Sequence, residues 1–215
     1  MASGVALLSG GLDSGVAAAL FAQEGGNRLS LCLFFDYGQR AREREATASS
    51  ALAERWGAPW LRVALPWLGE LAQRSGSRLV PGTGLLPQGT AVRPGDAASA
   101  EAVWVPARNA VFVAAAAAYA ESLHAGFVVA GFNCEEAVTF PDNSPQFLTA
   151  ASAFLALGTR HGVLVTSPTL AWDKAQIVAV ARELGFLPGD FWSCYEGGQA
   201  PCGSCESCLR SRWQR

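Results

Sequence analysis

The chain has 215 residues, half of them apolar, and a formal net charge of −2 at pH 7. This length is typical of one α/β domain with a small appendage, and the charge provides no general attraction to nucleic acid. No signal peptide is recognisable, and the most apolar stretch, residues 111–120, is too short to span a bilayer. We therefore expect a cytoplasmic protein with no nucleic-acid or membrane partner.

Strand-like and helix-like segments alternate along the chain. Strands are predicted at about residues 4–8, 29–35, 60–64, 126–132 and 162–166. Helices are predicted at about residues 14–24, 40–56, 108–124, 146–159 and 173–185. The strand segments are continuous apolar runs, which is typical of a sheet that is covered on both faces. The alternation predicts an α/β fold with a doubly wound, parallel, five-stranded sheet.

The first predicted strand leads directly into the run Ser9-Gly10-Gly11-Leu12-Asp13-Ser14. A glycine turn between a strand and a helix gathers backbone N–H groups at one point, where a phosphate chain can bind. The run has neither the Gly-Lys-Ser/Thr of a Walker A loop nor the spaced glycines of the dinucleotide fingerprint. Asp13 would repel phosphate, so it either caps the helix or holds a magnesium ion. An ordinary capped helix after a glycine turn is the alternative interpretation of the run.

Polar residues also follow two later strands, at 36–40 and 133–142. Ligands of doubly wound sheets bind beyond the carboxyl ends of the strands, so we expect these segments beside the first loop.

Residues 75–103 interrupt the alternation with five glycines and three prolines. A loop of this length in a compact domain predicts a flexible flap near the site.

Lys174 is the only lysine of the chain, which otherwise uses arginine as its cation. It stands at the start of a predicted helix, where the helix dipole slightly disfavours a positive charge. Both observations favour a compact cation that binds phosphate. A surface lysine on a first helical turn is the alternative.

Four cysteines close the chain with the spacing C-x7-C-x2-C-x2-C, at Cys194, Cys202, Cys205 and Cys208. Four thiolates at this spacing suit a tetrahedral structural zinc site. A tail of this length cannot build its own core, so a metal would stabilise its fold. An iron–sulfur cluster is the main alternative, and disulfides are a weaker one in a reducing compartment.

Together these motifs resemble the 7-cyano-7-deazaguanine synthase family of queuosine biosynthesis, within the PP-loop ATP pyrophosphatase superfamily. The resemblance covers essentially the whole chain. It rests on the order and spacing of Ser9–Ser14, Phe35–Arg40, Val105–Asn109, Gly131, Phe140–Asp142, Ser167–Pro168, Asp173–Lys174 and the cysteine tail.

The resemblance implies an ATP-dependent ligase that converts 7-carboxy-7-deazaguanine and ammonia to the nitrile. The reaction would pass through an adenylated carboxylate and an amide. The resemblance also implies a homodimer that uses ATP, Mg2+ and Zn2+. The ATP-binding domain is expected at residues 1–189 and the zinc-binding tail at 190–215.

The resemblance also implies roles for individual residues. Catalytic roles fall on Lys174, Asp13, Arg108 and Asp142. Nucleotide binding falls on Leu8, Ser9, Gly10, Gly11, Leu12, Asp13, Ser14, Phe35, Tyr37, Gln39, Gly131 and Lys174. Substrate binding falls on Arg108, Asn109, Glu136, Phe140 and Asp142, and metal binding falls on the four tail cysteines. The alternatives are an Asn109 that caps its helix, a solvated Arg108, and ordinary loop acids at Glu136 and Asp142.

One segment departs from the family pattern, and two other functions stay open. Residues 140–144 read Phe-Pro-Asp-Asn-Ser, where the family usually has Tyr-Pro-Asp-Cys-Arg, which leaves open a neighbouring carboxylate as substrate. A PP-loop enzyme that modifies tRNA, as a thiolase or a lysidine-type ligase, is the first alternative. A non-catalytic ATP-binding module is the second. The small size and acidic balance count against the former, and the cysteine tail counts against the latter.

Overall fold

The computed structural model describes residues 1–92 and 96–211 and has a five-stranded parallel sheet at its centre. The strands are β1 (Ser3–Leu7), β2 (Arg28–Asp36), β3 (Trp60–Ala64), β4 (Phe127–Val129) and β5 (Leu164–Thr166). Their order across the sheet is β3-β2-β1-β4-β5, and every neighbouring pair is parallel. The predicted doubly wound α/β fold is confirmed.

Helices cover both faces of the sheet. They are α1 (Leu12–Gln23), α2 (Arg42–Arg55), α3 (Pro66–Arg74), α4 (Ala97–Glu101), α5 (Arg108–Ser122), α6 (Pro145–Gly158), α7 (Lys174–Glu183) and α8 (Glu206–Arg210). Short 3-10 turns lie at Glu24–Gly26, Gly89–Ala91, Glu136–Val138, Pro141–Asn143 and Pro188–Asp190. None of the helices in the described ranges is both long and apolar enough to cross a membrane.

Two hydrophobic clusters hold these layers together, one on each face of the sheet. On one face, Val16 of α1, Leu52 of α2 and Ile177 of α7 pack against alternate side chains of β1 and β2. On the other face, Val113 of α5 and Leu155 of α6 pack against the remaining side chains of the same strands. Burial on both faces explains why the strands are continuous apolar runs in the sequence.

The ten predicted strands and helices are present, and three helices were missed. Helix α3 follows β3 with a single intervening residue, α4 lies within the predicted flap, and α8 lies within the cysteine tail. In the flap, Leu79, Val80 and Leu86 pack in one cluster with Tyr37 and Leu68. Residues 93–95 of the predicted flap and 212–215 of the predicted tail lie outside the described residues.

The strand order reverses between β1 and β4, and this reversal positions the site. From β1 the chain continues to β2 on one side, whereas β4 pairs with the other side of β1, with Ala6 opposite Val129. The loops that leave these two strands therefore diverge and open a crevice at the carboxyl edge of the sheet. The predicted polar loops lie at this edge.

Candidate active site

The Ser9–Ser14 loop follows β1 and is tied together by its two serines. Their Oγ atoms are 3.0 Å apart, and the Ser14 hydroxyl donates to the carbonyl of Gly11 at 3.1 Å. Gly10 has φ +82°, and a Cβ there would lie 2.4 Å from the Glu45 carbonyl oxygen of α2. Glycine is therefore required at position 10 by its backbone conformation and by the close approach of α2.

The first turn of α1 faces the crevice without a side-chain cap, because its N-cap residue is Gly11. Asp13 lies inside the first turn, so the capping interpretation of Asp13 is wrong. Gly131, which follows β4, touches the same turn, and a Cβ there would be 2.5 Å from the Ser14 nitrogen. The two loops thus meet around a helix N-terminus, where backbone amides and the helix dipole favour an anion.

Lys174 joins this turn to a third loop through two carboxylates. Its Nζ donates to Asp13 Oδ2 at 2.5 Å and to Glu136 Oε1 at 3.2 Å, and the residue is 7% exposed. Burial alone would lower the pKa of Lys174, but the two carboxylates raise it well above its usual range. Burial would raise the pKa of Glu136, but Lys174 and Arg210 outweigh burial, so the net shift is downward. The only lysine is therefore a buried, permanent cation.

Asp13 is the residue of this cluster that fits a divalent cation. Burial raises the pKa of its carboxyl group against the opposing effect of Lys174. One oxygen, Oδ1, is buried, and within the described part of the chain it has no hydrogen-bond partner. An unshared carboxylate oxygen beside a phosphate-type loop is the ligand that Mg2+ prefers.

Gln39, which is buried, pairs with the partly buried Glu45 on the β2 side of the crevice. The Gln39 amide donates to the Phe35 carbonyl at 3.1 Å and to the Glu45 carboxylate at 3.0 Å. Its oxygen accepts from the backbone N–H of Tyr37 at 3.0 Å. Both Gln39 N–H bonds are thus used to position protein groups. Burial raises the pKa of Glu45 to about 7, against the opposing effects of Gln39 and Arg108.

Arg108 and Asn109 begin α5 on the opposite wall. The N-cap of this helix is Ala107 in the left-handed region at φ +53°, so the alternative in which Asn109 caps the helix is wrong. Instead, the Asn109 amide donates to the Asp142 carbonyl at 3.2 Å and holds the Pro141–Asn143 turn. Arg108 lies beside the Tyr37 hydroxyl, and although burial would lower its pKa, Tyr37 and Asp142 raise it.

These groups surround one cavity of about 260 Å³ at the sheet edge. Most of the predicted site residues line it: Leu8, Ser9, Gly11, Leu12, Asp13, Ser14, Phe35, Tyr37, Gln39, Arg108, Asn109, Gly131, Glu136, Phe140 and Lys174. Gly10 and Asp142 lie outside the lining, and Asn143 takes the place of Asp142 in the wall. Phe140 stacks on Trp104 with ring centroids 6.3 Å apart.

The four tail cysteines form a compact cluster next to this cavity. The sulfur atoms of Cys194, Cys202, Cys205 and Cys208 all lie within 4.8 Å of one another. Backbone N–H groups of Glu196 and Cys202 donate to the Cys194 sulfur at 3.4 and 3.3 Å, an arrangement that stabilises a thiolate. Thiol donors from Cys205 and Cys208 hold the pKa of Cys194 well below its usual value. The cluster therefore fits a single metal ion.

The tail also supplies cavity residues that the sequence did not reveal. Six of them line the cavity: Trp192, Ser193, Tyr195, Glu206, Ser207 and Arg210. The backbone N–H of Trp192 donates to the Gly10 carbonyl at 2.9 Å, which joins the tail to the loop after β1. Glu45 was missed as well. The sequence pattern gives no signal for such residues, because a polar residue that faces a cavity and one that faces solvent occupy equivalent positions in that pattern.

The fold and the loop after β1 define an α/β protein of the PP-loop class. Among solved structures, the chain is similar to the U34-tRNA thiolase NcsA from Methanococcus maripaludis, a structure that contains a [4Fe-4S] cluster. The TM-score is 0.50 at 16% identity, and the alignment covers 86% of this chain and 56% of that chain. This similarity supports the fold.

Sequence comparison narrows the class to one family. The family described as "Queuosine biosynthesis protein QueC" matches residues 3–213, and the chain belongs to this family. A 7-cyano-7-deazaguanine synthase from Pelotomaculum thermopropionicum is 44% identical over 96% of this chain and 93% of the relative. Another from Desulforamulus reducens is 46% identical over 96% of this chain and 90% of the relative.

Proposed function

We propose that the protein is an ATP-dependent ligase that converts 7-carboxy-7-deazaguanine and ammonia to 7-cyano-7-deazaguanine in queuosine biosynthesis. The observation that carries the proposal is the convergence of the Ser9–Ser14 loop, Lys174 and the family-specific tail on one cavity. Membership of a family whose relatives bear this enzyme name supports the substrate. The proposed location is the cytoplasm.

The reaction needs two activations at the same carbon. A carboxylate oxygen of the substrate attacks the α-phosphate of ATP, which releases pyrophosphate and forms an acyl-adenylate. Ammonia then attacks the carboxyl carbon, AMP leaves, and an amide forms with loss of a proton. The amide oxygen attacks the α-phosphate of a second ATP and releases a second pyrophosphate, and departure of AMP with loss of both amide protons leaves the nitrile. Free ammonia is the simplest nitrogen source.

The residues of the cavity suit these steps because each step places negative charge on phosphate oxygens. The α1 amides and the Lys174 ammonium are fixed donors for that charge, and one such donor contributes about 3–4 kcal/mol in a transition state. Arg108, on the opposite wall, is a second cation that lines the cavity and is partly buried. Glu45 is suited to accept a proton from ammonium, because its pKa of about 7 lies near the operating pH.

Two metal ions complete the proposal. Asp13 would hold Mg2+ through Oδ1, and the ion would neutralise phosphate charge. The four cysteines would hold Zn2+, since zinc binds thiolates at about 2.3 Å and so spaces the sulfurs about 3.8 Å apart. The Cys202 and Cys208 sulfurs are 4.0 Å apart, which fits one ion more closely than a wider four-iron cluster.

The flap and the oligomeric state are further parts of the proposal. Leu79 and Val103, from the 75–103 segment, line the cavity, which supports a flap that covers bound substrate. Hydrogen exchange in this segment should slow when ligands bind, and equally fast exchange in both states would reject the flap.

We also propose a homodimer, so light scattering should give twice the chain mass of 22.5 kDa. Helix α6 exposes Phe154 and Leu157 for a second copy to cover.

The direct test of the activity measures AMP, pyrophosphate and the nitrile product. The purified protein with ATP, Mg2+, ammonium and 7-carboxy-7-deazaguanine should release two AMP for each nitrile detected by mass spectrometry. Omitting ammonium should prevent nitrile formation. AMP release that requires tRNA in place of the deazapurine would instead support a tRNA-modifying enzyme.

A further inference from the structure

Arg210 is a buried cation that the cysteine tail places in the wall of the cavity. It is 7% exposed, stands at the end of α8 and lines the main cavity. It also lines an adjoining space of about 30 Å³, together with Lys174. Two buried cations from different parts of the chain therefore line the same small space, which has the size of one small group.

The protein fixes the Arg210 guanidinium without using all of its donors. Nε forms an ion pair with the Glu206 carboxylate but, within the described residues, makes no hydrogen bond, and Glu206 accepts from the Tyr195 hydroxyl at 3.0 Å. Nη2 lies 3.5 Å from Oγ1 of Thr139. Nη1 is buried, and among residues 1–92 and 96–211 it has no hydrogen-bond partner. A guanidinium carries five N–H donors in one rigid plane, so this arrangement orients unused donors beside the cavity.

A structural ion pair alone does not account for this arrangement. Glu206 is 5% exposed and already neutralises Arg210, so the pair could be sealed in the interior with every donor satisfied. Instead, Nη1 has no partner within the described residues while Arg210 lines the cavity, and an unpaired buried donor is costly unless a ligand completes it. Glu136, the other carboxylate facing this space, is occupied by Lys174.

We propose that Arg210 binds an anionic oxygen of a ligand in the cavity, and that the metal-bound tail serves to place it there. The proposal rests on the proposed function, which supplies two such ligands, the carboxylate of the deazapurine and the triphosphate of ATP. Both are oxyanions that arginine binds through charge-assisted hydrogen bonds. The metal is then coupled to ligand binding through a side chain two positions after Cys208.

Calorimetric titration of zinc-loaded Arg210→Gln separates the two ligands. The titrants are 7-carboxy-7-deazaguanine, 7-deazaguanine without the carboxylate, and a non-hydrolysable ATP analogue. A loss of about tenfold or more that is confined to the carboxylate compound identifies the deazapurine as the ligand, and one confined to the nucleotide identifies the phosphate. Arg74→Gln, which removes an exposed arginine from α3, should leave all three affinities unchanged.

Zinc release provides a second readout, which compares the wild-type protein with the variant. The bound ligand should slow zinc removal by a chelator severalfold, because it bridges the tail to the sheet domain, and Arg210→Gln should lose this protection. If Arg210→Gln does not fold, Arg210→Lys replaces it, because lysine keeps the positive charge but lacks the planar guanidinium with its paired N–H donors. Unchanged affinities and unchanged zinc release overturn the role of Arg210 but leave the ligase standing. Failure of the wild-type protein to bind any titrant overturns the proposed function instead.

Discussion

The Ser9–Ser14 loop and the cysteine tail reach the same cavity, but different forces hold them in place. The loop continues a strand whose central residues are buried, and Leu8 and Val16 on either side of the loop are 0% exposed. In the described tail, from residue 190 to 211, the buried side chains are Cys194, Cys205, Glu206 and Arg210. Hydrophobic burial therefore positions the loop, whereas the tail is held by the compact cysteine cluster, the Glu206–Arg210 ion pair, the hydrogen bond from Trp192 to Gly10 and the partly buried Phe191. Loss of the metal should disable the tail while the loop keeps its place.

Removing one buried metal ligand should have the largest effect. Cys205→Ser should lose the metal and all nitrile formation, because Tyr195 and Arg210 would no longer be fixed in the cavity. The sheet should remain folded, so the far-ultraviolet circular dichroism should change little. Elemental analysis should fall from one zinc per chain to nearly none. The matched control is Cys134→Ser, which removes an exposed cysteine outside the cluster and should retain metal and activity. Full turnover by metal-free Cys205→Ser would show that the tail is dispensable.

Lys174→Ala tests the loop side of the comparison. Turnover should fall by about 100- to 1,000-fold, the usual cost of removing one fixed donor to a developing negative charge. Stability should also fall by about 3 kcal/mol, because Asp13 and Glu136 would face each other without their shared cation. Chemical denaturation and AMP release measure the two effects, and the zinc content should not change.

Lys174→Arg separates charge from geometry at the same position. It should recover most of the lost stability, since it keeps a cation between the two carboxylates, but not the full turnover, because the longer planar group displaces phosphate. Wild-type turnover in Lys174→Ala would remove this residue from the site.

The same contrast explains how much could be predicted from the sequence. Apolar periodicity located the sheet, its helices and the loop after β1, because burial on both faces of the sheet produces that pattern directly. The four cysteines were recognisable by spacing. The position of Arg210 was not, because α8 is a five-residue helix inside the cysteine cluster and is too short to show an apolar periodicity. Glu45 was missed for a related reason, since its role depends on Gln39 and on the close packing of α2 against Gly10.

Glu45→Gln should change how stability depends on pH. The native state holds the Glu45 proton up to a pKa of about 7, whereas the unfolded chain releases it near 4.5. Between these values the native state binds more protons, so this group makes the wild-type protein less stable as the pH rises. Glu45→Gln lacks this penalty, so its free energy of unfolding relative to the wild-type protein should rise across this range. The difference should level off at about 3 kcal/mol above pH 7. Denaturation midpoints at pH 5, 6, 7 and 8 measure the difference, and parallel curves for the two proteins would contradict the shifted pKa.

A matched pair of glycine substitutions should give the smallest effect and tests how tightly the sheet positions the loop. A Cβ at Gly131 would lie 2.5 to 2.7 Å from backbone atoms of Asp13 and Ser14, so Gly131→Ala must displace the first turn of α1. We expect a loss of about 1–3 kcal/mol, as for other overpacked sites, and weaker ATP binding. Gly126, just before β4, has open space around its Cβ position in the described chain, so Gly126→Ala should lie within about 0.5 kcal/mol of wild type. Because both glycines flank the same strand, equal effects on nucleotide affinity would mean that strand packing as a whole, rather than the contact with α1, sets the geometry of the loop.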